Sequence, residues 1–277
     1  MTIQGEEDGW RICATCGVEN DTDEQTCAIC DDDRQYLPPG GQRWTSLAGR
    51  AAEGCHVEIT ELEPDLYALH ASPKADIGQT ALLVRTPGGN LLWEVPGHLD
   101  DAGVEAVAEL GGVAAIMASH PHMYGLQLEW ARAFGAVVHV AEADRRWVRR
   151  EGPEISAWTE PFEVLPGIRA VQTGGHFPGS TVALWEAGAE GRGVLLSGDT
   201  CKAVPDTGWV SFMRSFPNLI PLSPAVVERV SGAITALSFD RLYDNFGLQV
   251  PSGAREAVVR STERYVAWVR GDFDSLT

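Results

Sequence analysis

Beyond residue 55 the apolar positions fall into short runs separated by Pro, Gly and Asp, and the period of each run predicts its element. Residues 57–62, 66–70, 80–85 and 90–94 read as β-strands in quick succession, the pattern of an antiparallel start to a sheet. The texture then changes. Residues 100–110 have helical spacing, 113–118 are an unbroken apolar run, a helix is expected over about 124–134, a strand over 136–140 and another helix from Glu142. A second group of strands follows at 168–173, 181–186 and 193–197, then helices near 224–237 and 253–269 around a strand at 239–243. This interleaving predicts a mixed α/β fold of two sheets with helices outside them.

Composition sets the scale. With 277 residues, 44% hydrophobic and 22% charged, the chain can bury a core of about 200 residues and still carry a small appendage, which excludes a disordered protein. It has no run of about 18 apolar residues, and the opening MTIQGEEDGW has neither the basic region nor the apolar stretch of a signal peptide, so a cytoplasmic location is expected. Twenty-one basic against 39 acidic residues give a net charge of −18, which disfavours nucleic acid and anionic membrane surfaces as partners. A small-molecule substrate is the expected partner, and a homodimer is left open. The one basic cluster, Arg145, Arg146, Arg149 and Arg150, has the spacing of a solvated helix face beside Glu142 and Asp144.

Four of the six cysteines form two knuckles, Cys13-x2-Cys16 and Cys27-x2-Cys30, ten residues apart. Each tight turn presents two sulfurs to one side, so together they can close a tetrahedral shell around zinc. Residues 1–46 carry ten acidic and three basic residues and are too short to fold on an apolar core alone, so the metal is expected to supply stability. This predicts a four-cysteine zinc-ribbon-like module at 1–46, the run Leu37-Pro38-Pro39-Gly40-Gly41 as linker, and a second domain over 47–277. A single iron is the alternative occupant.

In the large domain the candidate chemistry sits at strand ends. His120 and His122 follow the apolar run at 113–118, His176 lies in the glycine-rich turn GGHFPGST, and Asp199 follows the strand in LLSGDT. Neutral imidazoles and a carboxylate are sound ligands for zinc, iron or manganese, and three or four of them leave room for a water. A strand ending in SHPHMYG, then GGHFPGST about 55 residues on, then LLSGDT about 20 later, resembles the metallo-β-lactamase superfamily, over about residues 47–277. It is similar in particular to a bacterial branch with an amino-terminal four-cysteine ribbon, and the segment WVSFMRSFPNLIPL strengthens the likeness. The resemblance implies an αββα sandwich with the site at one edge of the sheets, and His120, His122, His176 and Asp199 as metal ligands.

The chain departs from the superfamily pattern where a second metal would bind. His-x-His-x-Asp-His is replaced here by Tyr124 and Gly125 at its last two positions, and Phe246 stands where a late histidine would fall. One metal ion, zinc or iron, is therefore expected in the large domain. Tyr124 becomes a candidate catalytic donor or an aromatic filling the gap, and Asp199 a ligand or a base acting through bound water. His98, in the loop after Glu94-Val95-Pro96-Gly97, and Trp209, in the aromatic stretch after Asp199, are candidate substrate contacts. The expected function is a hydrolase in which a mononuclear metal-bound hydroxide attacks an ester, thioester, lactone or amide. An iron-dependent oxidoreductase acting on oxygen or a sulfur substrate, and a non-catalytic metal-binding or docking protein, are the alternatives.

Overall fold

A computed structural model describes residues 9–277; residues 1–8, within the expected ribbon and the segment read for a signal peptide, lie outside the described residues. The four-cysteine region forms a three-stranded sheet from β1 (Trp10–Cys13), β2 (Glu19–Asp21) and β3 (Trp44–Thr45), in the order β2-β1-β3. Helix α1 (Leu47–Ala52) follows, with the Ser46 side chain accepting from the Gly49 amide at its N-terminus.

The first large sheet has seven strands. β4 (His56–Glu63), β5 (Leu66–Ser72), β6 (Ala81–Thr86) and β7 (Gly89–Trp93) run as an antiparallel meander. Helix α2 (Asp101–Glu109) then crosses to β8 (Ala115–Met117), and α3 (Gln127–Phe134) to β9 (Val137–Ala141), with β10 (Ile155–Trp158) beyond, so that β7 to β10 are parallel. The second sheet takes β11 (Phe162–Leu165), β12 (Ile168–Gln172), β13 (Thr181–Trp185) and, past the single turn α4 (Gly188–Gly191), β14 (Val194–Leu196). Two short hairpins, β15 (Lys202–Ala203) with β16 (Val210–Ser211) and β17 (Met213–Ser215) with β18 (Ile220–Pro221), precede α5 (Pro224–Thr235). β19 (Arg241–Tyr243) and β20 (Gln249–Val250) complete the second sheet, and α6 (Ala254–Arg270) covers it.

Why the central strands read as continuous apolar runs is now plain. Successive side chains of a strand point to opposite faces. On β6 and β7, Leu82, Val84, Leu91 and Trp93 face the second sheet's Ala170, Ala183, Trp185 and Leu196, whereas Leu83 and Leu92 face the layer holding Val107 and Trp130. A third cluster packs Leu195 and Leu242 under Val227, Val230, Ile234 and Val258 of α5 and α6. The layers are therefore helix, sheet, sheet, helix. Among the described residues no helix is long and apolar enough to cross a membrane.

Several elements differ from expectation. α3 starts at Gln127, not near Tyr124, because Gly125 adopts φ 49°, outside the helical region. A Cβ at Gly125 would overlap the Val95 carbonyl oxygen and lie 2.9 Å from that of Pro96, so the position admits only glycine without a shift of backbone. The helix expected from Glu142 is a short 3-10 segment, Glu142–Trp147, and the arginines around it are not a free solvated face. Arg150 is buried and donates to Glu19 of β2 at 2.7 Å and to Glu129 of α3 at 2.6 Å, with its guanidinium over the Trp10 ring. Arg149 pairs with Glu24. This cluster is a seam that fastens the four-cysteine sheet to the large domain, where Ile12, Val18 and Ile29 share one apolar core with Val95, Leu126 and Trp130.

Candidate metal centre and its cleft

All four candidate ligands of the large domain leave the same edge of the sandwich. His120 and His122 follow β8, His176 lies between β12 and β13, and Asp199 follows β14. Gly198, at φ 53°, turns the chain so tightly beside Ser119 that a Cβ there would overlap the serine side chain, and this close approach brings Asp199 to His120. One ligand atom from each of the four buried residues lies within 4.8 Å of the others. His122 Nδ1 is 3.4 Å from His176 Nε2, and His120 Nε2 is 3.6 Å from Asp199 Oδ2. Two donors each about 2.1 Å from one ion at a tetrahedral angle stand about 3.4 Å apart, so the set fits a single metal ion.

The surroundings favour the ligand form of each side chain. Burial, with the neighbouring imidazoles, holds His120 and His122 well below the usual histidine range, and burial takes His176 down to about 4, so all three are neutral near pH 7. His176 Nδ1 donates to the Met213 carbonyl at 3.0 Å, which leaves Nε2 with its lone pair toward the cluster. His120 Nδ1 lies 2.7 Å from Ser119 Oγ, while among the described residues the buried His120 Nε2 and Asp199 Oδ1 have no hydrogen-bond partner. Burial pushes Asp199 up to about 6, opposed by the Lys202 ammonium 3.7 Å from Oδ1. Beneath the pair, the Glu94 carboxylate accepts from the Ser119 amide at 2.9 Å, from a backbone held at φ 62°.

The cluster opens into a cleft of ≈ 470 Å³ whose wall includes His122 and Asp199. Tyr36, Phe216, Phe246 and Leu248 make it apolar, and Lys74 and Lys202 line it too. Phe246 occupies one side of the cleft with the Lys202 ammonium 3.7 Å from its ring centroid, and Asp244 holds that ammonium at 3.2 Å.

Three sequence-derived candidates lie elsewhere. Tyr124 is 2% exposed and its hydroxyl donates to the Asp144 carbonyl at 3.4 Å, away from the cleft wall. His98 is buried beside Asp100, 3.7 Å from its carboxylate, and its carbonyl accepts from Trp130 Nε1. Trp209 packs beneath Arg264 of α6, 3.5 Å from guanidinium to ring centroid, and Phe216, not Trp209, stands in the cleft wall. Cys201 is buried in the core under α5 and α6. Sequence reading misses Lys202, Asp244, Gln35 and Tyr36; the available signal is scarcity, since the chain has only two lysines, Lys74 and Lys202, and both line this cleft.

At the other end of the shared core, the sulfurs of Cys13 and Cys30, and of Cys16 and Cys27, stand 3.7 Å apart, and all four lie within 4.8 Å of one another. Thiolates about 2.3 Å from a tetrahedral ion are spaced about 3.8 Å apart, so this cluster fits a metal as well. Gln42 braces it, donating to Cys13 Sγ at 3.3 Å and accepting from the Cys27 amide at 3.0 Å.

The fold and the site define a metallo-β-lactamase-fold protein with an amino-terminal four-cysteine module. Two solved metallo-β-lactamases share the fold: DIM-1, with TM-score 0.56 and 10% identity over 78% of this chain and 98% of that one, and TMB-1, with TM-score 0.55 and 10% identity over 76% and 96%. No protein-family model matches the chain. It is 42% identical over 260 residues to the uncharacterized protein YmaE of Bacillus subtilis (strain 168), covering 92% of this chain and 95% of that protein. The chain belongs to the YmaE family and has the metallo-β-lactamase fold.

Proposed function

We propose that this protein is a metal-dependent hydrolase that uses one metal ion, held by His120, His122, His176 and Asp199, to cleave an ester, thioester, lactone or amide. The observation that carries this reading is the convergence of four buried donor atoms, of which those of His122 and Asp199 belong to residues in the wall of a solvent-accessible cleft. A divalent ion in such a site supplies an activated water and a Lewis acid for a carbonyl. The cleft walls suit a substrate with an apolar group, seated against Tyr36, Phe216, Phe246 and Leu248, and an anionic group, met by Lys74 and Lys202. Lys202 also acts on the ligand set. Its ammonium draws Asp199 Oδ1, which leaves Oδ2 facing His120, and it places a positive charge where an oxyanion would develop. Phe246 and Phe216, on either side of that ammonium, limit water around it.

The structural role proposed for the cysteine site is zinc binding, with the large-domain ion zinc or iron. The test is metal content by element-resolved mass spectrometry on protein purified without added metal, followed by turnover of a panel of carboxylate-bearing aryl and acyl esters, thioesters, lactones and amides. Two metal equivalents, one of which is lost together with turnover in His122→Ala, are expected. Turnover that survives His122→Ala, or a fully loaded protein inert to the whole panel, refutes the proposal.

A further inference from the structure

The two metal clusters are linked through a short arm of the four-cysteine module. After the second knuckle, where the Cys27 carbonyl accepts from the Cys30 and Asp31 amides, the chain turns on Asp32. Asp32 Oδ1 accepts from the Arg34 amide at 3.0 Å and from its guanidinium at 2.6 Å, which fixes the direction of that side chain. Arg34, 6% exposed, then reaches across to the large domain: its Nε donates to the His176 carbonyl at 2.8 Å, and its guanidinium lies 4.2 Å from the centroid of the Phe177 ring. Phe177 in turn touches all three ligand imidazoles, with ring centroids 5.7 Å from His120, 4.9 Å from His122 and 5.3 Å from His176.

A second set of bonds closes the loop. Ser215 Oγ donates to the Arg34 carbonyl, Asn218 Nδ2 to the carbonyls of Asp33 and Gln35, and Arg214 to the Asp33 carboxylate. These residues belong to the β17–β18 hairpin, whose Met213 carbonyl orients the His176 ring. His176 is therefore gripped at its backbone by Arg34 and at its ring by a hairpin the same arm braces. The two residues after Arg34, Gln35 and Tyr36, form a wall of the cleft.

We infer that Arg34 is a positioning residue for the large-domain metal centre, through which the four-cysteine module sets the placement of His176 and of the cleft wall. This rests on reading the three histidines and Asp199 as a metal site. A partner that bonds the second ring nitrogen of a ligand imidazole, as the Met213 carbonyl does for His176, is worth about 10–100-fold in metal affinity, and Arg34 acts one step behind it, so its effect lies at the low end of that range. A lysine can reach the His176 carbonyl but cannot also lay a planar fork on Phe177, so it restores only part of the effect.

The test uses the full chain loaded with cobalt(II). A chelator competition measures affinity at the histidine site, the d–d bands report its geometry, and the thiolate charge-transfer band reports the cysteine site. Arg34→Ala is expected to weaken cobalt at the histidine site by about tenfold and to alter its d–d bands, with the thiolate band unchanged and Arg34→Lys intermediate. Should Arg34→Ala fail to fold, Asp32→Asn, which loosens the arm while keeping Arg34, is expected to shift the same two readouts in the same direction. Wild-type affinity and d–d bands in a folded variant overturn the inference. A wild-type chain whose histidine site takes up no cobalt overturns instead the metal-site reading beneath it.

Discussion

Replacing Arg150 by alanine is the sharpest test of the seam between the four-cysteine sheet and the large domain. Its side chain is 8% exposed, that of Glu19 only 2%, and their 2.7 Å ion pair is shielded by Trp10. Glu19 also accepts from the Leu128 amide at 2.8 Å, so it cannot swing out to water without unpairing the start of α3. Removing one member of a buried pair leaves the other charge uncompensated and costs about 3–5 kcal/mol, out of a total stability of roughly 5–15 kcal/mol. At roughly 2–4 °C per kcal/mol the melting temperature at pH 8.5 falls by roughly 6–20 °C. The loss has a definite pH dependence. Burial pushes Glu19 up from the usual 4.5 to about 7 even beside Arg150. A carboxyl raised on folding contributes stability that is fully present below its unfolded pKa and is lost as pH rises through the folded one. Without Arg150 the buried acid holds its proton still more tightly, so the Glu19 share of the penalty is absent at pH 5.5 and reaches about 2 kcal/mol at pH 8.5, and the lost pair with Glu129 adds a share of its own. Glu19→Gln, which keeps the Leu128 bond and leaves Arg150 paired with Glu129, should cost little and flatten the pH profile. Thermal scans at both pH values decide it: a penalty equal at the two, or below about 1 kcal/mol at pH 8.5, refutes the argument.

Other outcomes follow from the placements in the site. Tyr124→Phe removes one long hydrogen bond to Asp144, so it should cost no more than about 1 kcal/mol in urea unfolding and leave kcat/KM within about twofold; a hundredfold fall would return the hydroxyl to the chemistry. Trp209→Ala should leave KM unchanged in steady-state kinetics while loosening the hold on Arg264, because the ring is absent from the cleft wall. Gly125→Ala should lower stability by at least about 2 kcal/mol, read as a drop in the urea midpoint, since a Cβ there collides with backbone carbonyls; an unperturbed midpoint would show that the loop can shift.

Much of this is legible in the sequence because it depends on local period and on backbone path. The runs read as strands at 80–85 and 90–94 fold as Ala81–Thr86 and Gly89–Trp93, and the placement of His120, His122, His176 and Asp199 just past strands is a property of order along the chain. β10 and β11 are not legible because each is a four-residue strand at a sheet edge, with its register supplied by a partner instead of its own pattern. Tyr124 and Trp209 are credible candidates on position alone; the direction of each side chain, which long-range packing sets, puts Tyr124 against Asp144 and Trp209 beneath Arg264 instead of in the cleft wall.

The arginine run shows the limit most clearly. Spacing of i, i+3, i+4 beside acids describes a helix face only if a helix is there, and here the turn ends at Trp147, so Arg149 and Arg150 point toward Glu24 and Glu19 more than 120 residues away in sequence. The same fact explains why the first 46 residues look like an appendage. Their charge and length describe a module too small to fold alone, yet its strand β2 donates the Glu19 amide to the Gly125 carbonyl, in the loop immediately after the His120–His122 pair. Gly125 has a φ and crowding that permit nothing larger without a shift of backbone, and its carbonyl is used by the four-cysteine sheet. The close turn after the His120–His122 pair and the docking of the module therefore meet at one residue, Gly125, so a change there should be felt on both sides.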